Sequence, residues 1–74
     1  MYKTSDLATA AYLSLSGFPP EIERMESRNR VVFCYEDTLE MRDALAVFQR
    51  KEGRVEPVQF FNELRSLKSL IYQN

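Results

Sequence analysis

The chain has 74 residues, 45% hydrophobic and 28% charged, with a net charge of −1. That length gives one domain, residues 1–74, whose small core buries roughly 60–65% of the unfolded surface, and the near-neutral charge excludes a global field that would recruit nucleic acid or an anionic membrane. Histidine is absent, so a metal site would need carboxylates alone, and a general base would have to be a carboxylate, lysine or tyrosine.

A first helix is predicted from about Asp6, capped by Thr4 or Ser5, with Asp6 in the first turn where the helix dipole favours an anion. Leu7, Ala8, Ala11 and Leu15 lie on one face at helical spacing, and Ala10, Tyr12 and Leu13 widen that face until little polar surface remains. Small side chains on a mostly apolar helix predict close packing on several sides. Gly17 ends the helix in the left-handed position, Phe18 folds back onto Leu13, and Pro19-Pro20 makes the stop firm.

Glu21 to Glu26 reads as a weaker strand. Ser27-Arg28-Asn29 follows as a turn, closed by a positive φ at Asn29, and leads into a second strand over Arg30 to Glu36. Ile22 and Met25 have opposite parity, so either a bulge intervenes or Ile22 precedes the paired segment. Arg30-Val31-Val32-Phe33-Cys34-Tyr35 is apolar on both faces and asks for cover on both. The bulkier face, Val31, Phe33 and Tyr35, is assigned to the core.

Asp37-Thr38-Leu39-Glu40 resembles a capping box, with Asp37 as cap and Glu40 reaching back, and opens a second helix. Its stripe is Met41, Ala44, Leu45 and Phe48; Arg50 and Lys51 fill the last turn, and Gly53 stops it. Pro57 takes the first position of a third helix, where its missing N–H costs nothing. Phe60, Leu64, Leu67 and Ile71 form the buried stripe of that helix, with Leu70 and Phe61 at the margins. The assembled expectation is an α+β fold of order α-β-β-α-α, a two-stranded antiparallel hairpin packed against three helices.

At this point the chain resembles a small bacterial and phage-associated domain family of unknown function. The matching pieces begin with Tyr2-Lys3-Thr4-Ser5-Asp6-Leu7-Ala8, Ala11-Tyr12-Leu13 and Gly17-Phe18. Val31-Val32-Phe33, Tyr35-Glu36-Asp37, Phe60-Phe61-Asn62 and Leu64-Arg65-Ser66-Leu67-Lys68 complete them. The chain departs from the pattern at Pro19-Pro20 and at Asn29, where the family's hairpin turn would carry glycine. The resemblance implies the fold; it implies no reaction, cofactor or site residue.

One constellation stands out as a candidate partner-binding site. Phe61, Arg65, Lys68 and Tyr72 follow i, i+4, i+7, i+11 spacing and share a flank beside the apolar stripe of the third helix. Interleaved aromatic and basic groups stack on and neutralise a nucleic acid, or bind an acidic partner. In the structural alternative, Phe61 and Tyr72 edge the core while Arg65 and Lys68 snorkel along them. Asp6 with Lys3, or the acids Glu36, Asp37 and Glu40, suggest a carboxylate site, but capping explains Asp6, Asp37 and Glu40, and no paired base, nucleophile motif or phosphate loop accompanies them. Tyr2 and Lys3 read as a tether, with Tyr2 packed on a neighbouring element.

Cys34, the lone cysteine, permits no internal disulfide and reads as a small buried hydrophobe. A chain without a disulfide suits a reducing cytoplasm. No apolar run reaches the ~20 residues of a membrane span. Residues 7–15 resemble a signal core, but Asp6 precedes them and no small-residue cleavage pattern follows. The functional expectation is a non-enzymatic, cytoplasmic protein-interaction module that needs no cofactor and no membrane. The alternative is a weak nucleic-acid binder using the flank of the third helix. A homodimer is a further expectation, because three short helices leave the Val32 and Cys34 side of the hairpin short of cover unless the first helix closes it.

Overall fold

The computed structural model describes residues 1–25 and 30–72. Its elements are β1 (Tyr2–Thr4), α1 (Leu7–Leu15), β2 (Glu21–Met25), β3 (Arg30–Tyr35), α2 (Leu39–Gln49) and α3 (Pro57–Tyr72). The α+β class holds, but the sheet has three antiparallel strands in the order β1-β3-β2, not two.

The added strand is the segment read from sequence as a tether. Tyr2 pairs with Tyr35, Lys3 with Cys34 and Thr4 with Phe33. Three residues are too few to display a period-2 pattern, yet Tyr2 and Thr4 suit a half-buried pleat while Lys3 points away from the core. Tyr2 also packs as a tether should: its ring centroid lies 6.4 Å from that of Tyr35, and the Arg42 guanidinium sits 5.6 Å above it. With β1 and β2 on either side, β3 has no free edge, which fits its apolar composition.

The parity conflict in β2 resolves without a bulge among the described pairs. Pairing runs continuously from Glu21↔Cys34 to Met25↔Arg30, with Ile22 opposite Phe33. Ile22 therefore shares the core face with Phe33, and Met25 lies on the outer face. The turn expected at Ser27-Arg28-Asn29 lies outside the described residues.

Val31, Phe33 and Tyr35 point inward as expected, at 4%, 0% and 1% exposure. They meet Ala10, Ala11 and Leu13 of α1, Met41 and Leu45 of α2, and Leu67 of α3. The run Thr9 to Leu13 is buried without interruption, as a helix in contact with both α2 and α3 requires. The alanines let these neighbours approach. On the outer face Lys3 reaches Glu23 at 3.3 Å across β3, and Cys34 is only 3% exposed beneath that pair. Helix α1 packs in the core and does not close this side; charged side chains of β1 and β2 flank it. The shortage of cover that would call for a second copy is smaller than the hairpin alone suggests.

The helix caps show where local signals compete. Asp6, not Thr4 or Ser5, caps α1: its carboxylate accepts from the Thr9 N–H at 3.1 Å and the Thr9 hydroxyl at 2.6 Å. Thr4 is already committed to β1, and its hydroxyl accepts from the Asp6 N–H. In α2 the cap is Thr38, accepting from the Met41 N–H at 3.1 Å. Asp37 is held instead by Arg42 through two bonds of 2.7 and 2.8 Å. In α3, Pro57 takes the first position as expected, and the Glu56 carboxylate accepts from the Val58 and Gln59 N–H groups.

Helix α1 ends as read from sequence. Gly17 has φ +95°, its N–H bonds the Ser14 carbonyl at 3.1 Å, and the Phe18 N–H bonds the Leu13 carbonyl at 3.0 Å. Helix α2 ends the same way but without a glycine. Lys51 takes φ +62°, and the Glu52 N–H reaches the Val47 carbonyl at 3.0 Å. Gly53 is therefore not the stop, and Arg50 and Lys51 lie just beyond the last turn. Gly53 serves packing: a Cβ there would lie 2.6 Å from Tyr12 Cε1. The Tyr12 ring is also stacked on Phe48 at 4.9 Å. Lys51→Gly is expected to stabilise the fold by about 1 kcal/mol, because a left-handed residue with a Cβ costs about that much. A denaturant midpoint that stays put or falls would contradict the strain at Lys51.

Candidate functional site

Helix α3 is amphipathic with a displaced apolar edge. Leu67 is buried, and Phe60, Leu64, Leu70 and Ile71 pack against the core, so the expected stripe is the one used. The neighbouring flank points into solvent. Phe61 is 64% exposed and Tyr72 73%, and Arg65 and Lys68 are exposed with them. At about 100° per residue the four fall within an arc of about 60°. Val58, one turn before Phe61, extends the exposed apolar surface.

Three of the four candidates line one hollow. Phe61, Arg65 and Lys68, with Leu64 of α3 and Leu7 at the start of α1, enclose an open groove of about 370 Å³. Tyr72 is on the same helix face beyond the groove. Leu7 and Leu64 form part of the lining, a role the sequence reading did not assign them. Both look like core positions by spacing, and only the packing of α1 on α3 shows that each turns one side to the groove.

Among the described residues, the groove's two cations have no ion-pair partner. The ion pairs among these residues are Lys3–Glu23, Arg42–Asp37 and Arg50–Glu52; Arg65 and Lys68 enter none. The C-terminal half of α3 is steadied from β2, where the Arg24 guanidinium donates to the Leu70 carbonyl. That bond satisfies one of the carbonyls left open at a helix end and helps place Lys68 and Tyr72.

Two of the four candidate carboxylates, Asp6 and Asp37, are taken up by structure. Asp6 is a cap, and the Arg42 guanidinium holds the Asp37 carboxyl below the usual range. Glu36 and Glu40 are exposed. Glu36 borders a second hollow with Glu21, Cys34, Pro19, Pro20 and Met1, but the thiol there is the wrong kind for attack. Burial and the nearby Glu23 carboxylate push its pKa up, and it donates weakly to Glu23 at 3.7 Å. A nucleophilic cysteine needs the opposite field. Among the described residues no three acids or cysteines come together where a metal could be held, and no helix is long and apolar enough to cross a membrane.

The model of a family described as a domain of unknown function (DUF5659) matches residues 1–73. The chain belongs to that family. No curated protein and no solved structure matches it significantly. The match takes in β1 and α3 alike, and so every residue of the groove, but it carries no activity to transfer onto them.

Proposed function

We propose that this domain is a non-enzymatic protein-interaction module whose contact surface is the outer flank of α3 and its groove against α1. The observation that carries the reading is Phe61. A large aromatic is 64% exposed at the lip of an apolar groove, on a well-packed helix. Exposed aromatic side chains beside arginine are the typical anchors of protein interfaces, since they exchange much water for contact at little conformational cost. A photo-crosslinking amino acid placed at Phe61 in the native host is expected to give discrete protein adducts. The same group at Leu39, 74% exposed on α2, is expected to give none. Equal labelling from both positions, or none from Phe61, would remove the reading.

The aromatic-basic pattern of the same flank favours one competing reading, nucleic-acid binding. Two cations displace about two counterions, a log–log salt slope near −1.8, which is weak for a binder that relies on that pair. No micromolar retention of DNA or RNA is expected at physiological salt. Clear retention that disappears in Arg65→Glu with Lys68→Glu would reverse the order of the two readings.

A further inference from the structure

We infer that the α1/α3 groove receives an acidic amphipathic helix, about three turns long, supplied by a partner protein. The inference rests on the interaction reading above and adds the chemistry of the occupant. Its first ground is the lining: Leu7, Leu64 and the exposed ring of Phe61 offer apolar contact, while Arg65 and Lys68 border it as cations. Neither cation enters an ion pair among the described residues, so the groove is matched to a ligand bearing apolar groups with carboxylates beside them. A basic segment would meet two like charges. A wholly apolar one would leave both cations facing its surface without counter-charge.

The second ground is backbone hydrogen bonding. The groove lies between the side of α3, whose N–H and C=O groups are already bonded within the helix, and the start of α1, which offers only the open N–H groups of its first turn. An extended segment laid there would find no ladder to join, and strand addition belongs at a sheet edge, here β1 or β2. A helix brings its own hydrogen bonds and presents only side chains. Length gives the third ground. From Phe61 to Lys68 the groove runs about 10 Å at 1.5 Å per residue, and the exposed flank continues to Tyr72 for about 16 Å in all, which matches some eleven residues of a docked helix. Apolar anchors at i, i+3 or i+4, and i+7 would reach Phe61, Leu64 and Leu7, with Asp or Glu on the adjoining positions facing Arg65 and Lys68.

The test is an unbiased selection of random 15-residue displayed peptides on the purified full chain. Enriched peptides are then titrated against isotope-labelled protein and followed by amide resonances. The expected consensus is helical, with apolar residues at that spacing flanked by Asp or Glu. Shifts should centre on Leu7, Phe61, Leu64, Arg65 and Lys68, with affinity at least tenfold weaker for Phe61→Ser. Arg65→Glu with Lys68→Glu should lose the acidic peptides and bind versions in which their acids are changed to lysine. That exchange of specificity cannot come from an unfolded variant. A neutral or basic consensus that still requires Phe61 would overturn the acidic helix and leave the interaction module standing. Enrichment indifferent to Phe61 would remove both. Micromolar binding of DNA, RNA or anionic-lipid vesicles through the same residues would assign the groove to that class instead.

Discussion

Phe33→Ala is expected to lower the stability of the fold by about 3–5 kcal/mol, the usual cost of emptying a large aromatic site in a core. Phe33 is 0% exposed, at the centre of β3, with Thr4 of β1 and Ile22 of β2 directly opposite it in the two ladders. The cavity would therefore open beneath all three strands, and strand backbones held by ladders on both sides have little room to collapse into it. Domains have about 5–15 kcal/mol in total, and one this small belongs near the lower limit, so the variant should be close to unfolded. Val32→Ala is the comparison. Val32 is half-buried on the outer face, and losing part of that side chain should cost about 1 kcal/mol. Equal shifts of the denaturant midpoint for the two variants would contradict the assignment of the inward face.

That assignment was readable because it rests on parity. In β3 the odd positions carry the larger side chains, and a single inward face must take the larger set. The α3 stripe, Pro57 at its start and Gly17 at the end of α1 were readable for the same reason, since each depends on residues a few positions apart. The misses share a different cause. Strand β1 exists because Tyr2, Lys3 and Thr4 find β3 some thirty residues away, and nothing within three residues records that. Thr4 then ceases to be available as a cap, so the α1 cap moves to Asp6. Asp37 is a good cap by composition, but Arg42 competes for its carboxylate and Thr38 takes the role.

Gly53 illustrates how a correct signal can be assigned to the wrong cause. A glycine soon after a helix usually marks its left-handed stop. Here the stop falls on Lys51, and Gly53 is small because Tyr12 lies against it. The candidate site divides along the same line. Phe61, Arg65, Lys68 and Tyr72 share a face by periodicity alone, and the structure shows that face in solvent. The groove itself required Leu7, more than fifty residues away, and only the packing of α1 on α3 brings it there.

Raising the pH from 10 to 12 is expected to destabilise the domain through Tyr35. Burial is the main cause that pushes its phenol from 10.0 up to about 12, and in the folded chain the hydroxyl donates to the Ala10 carbonyl at 3.3 Å. Below pH 10 the phenol keeps its proton in both folded and unfolded chains, and its contribution to stability is intact. Above pH 10 the unfolded chain ionises first while the folded chain resists, so stability falls until the pH passes about 12. Two pKa units correspond to about 2–3 kcal/mol. Tyr35→Phe isolates the contribution of this one hydroxyl, since every other side chain is common to the two proteins. At neutral pH the variant should be less stable by about 1 kcal/mol, the net worth of one hydrogen bond. By pH 12 the order should reverse, because the variant has no phenol at this position to ionise. Denaturant midpoints of the two proteins measured between pH 8 and 12 should therefore cross. Parallel curves would show that Tyr35 ionises as freely in the folded chain as in the unfolded one, and that the hydroxyl is not buried over α1.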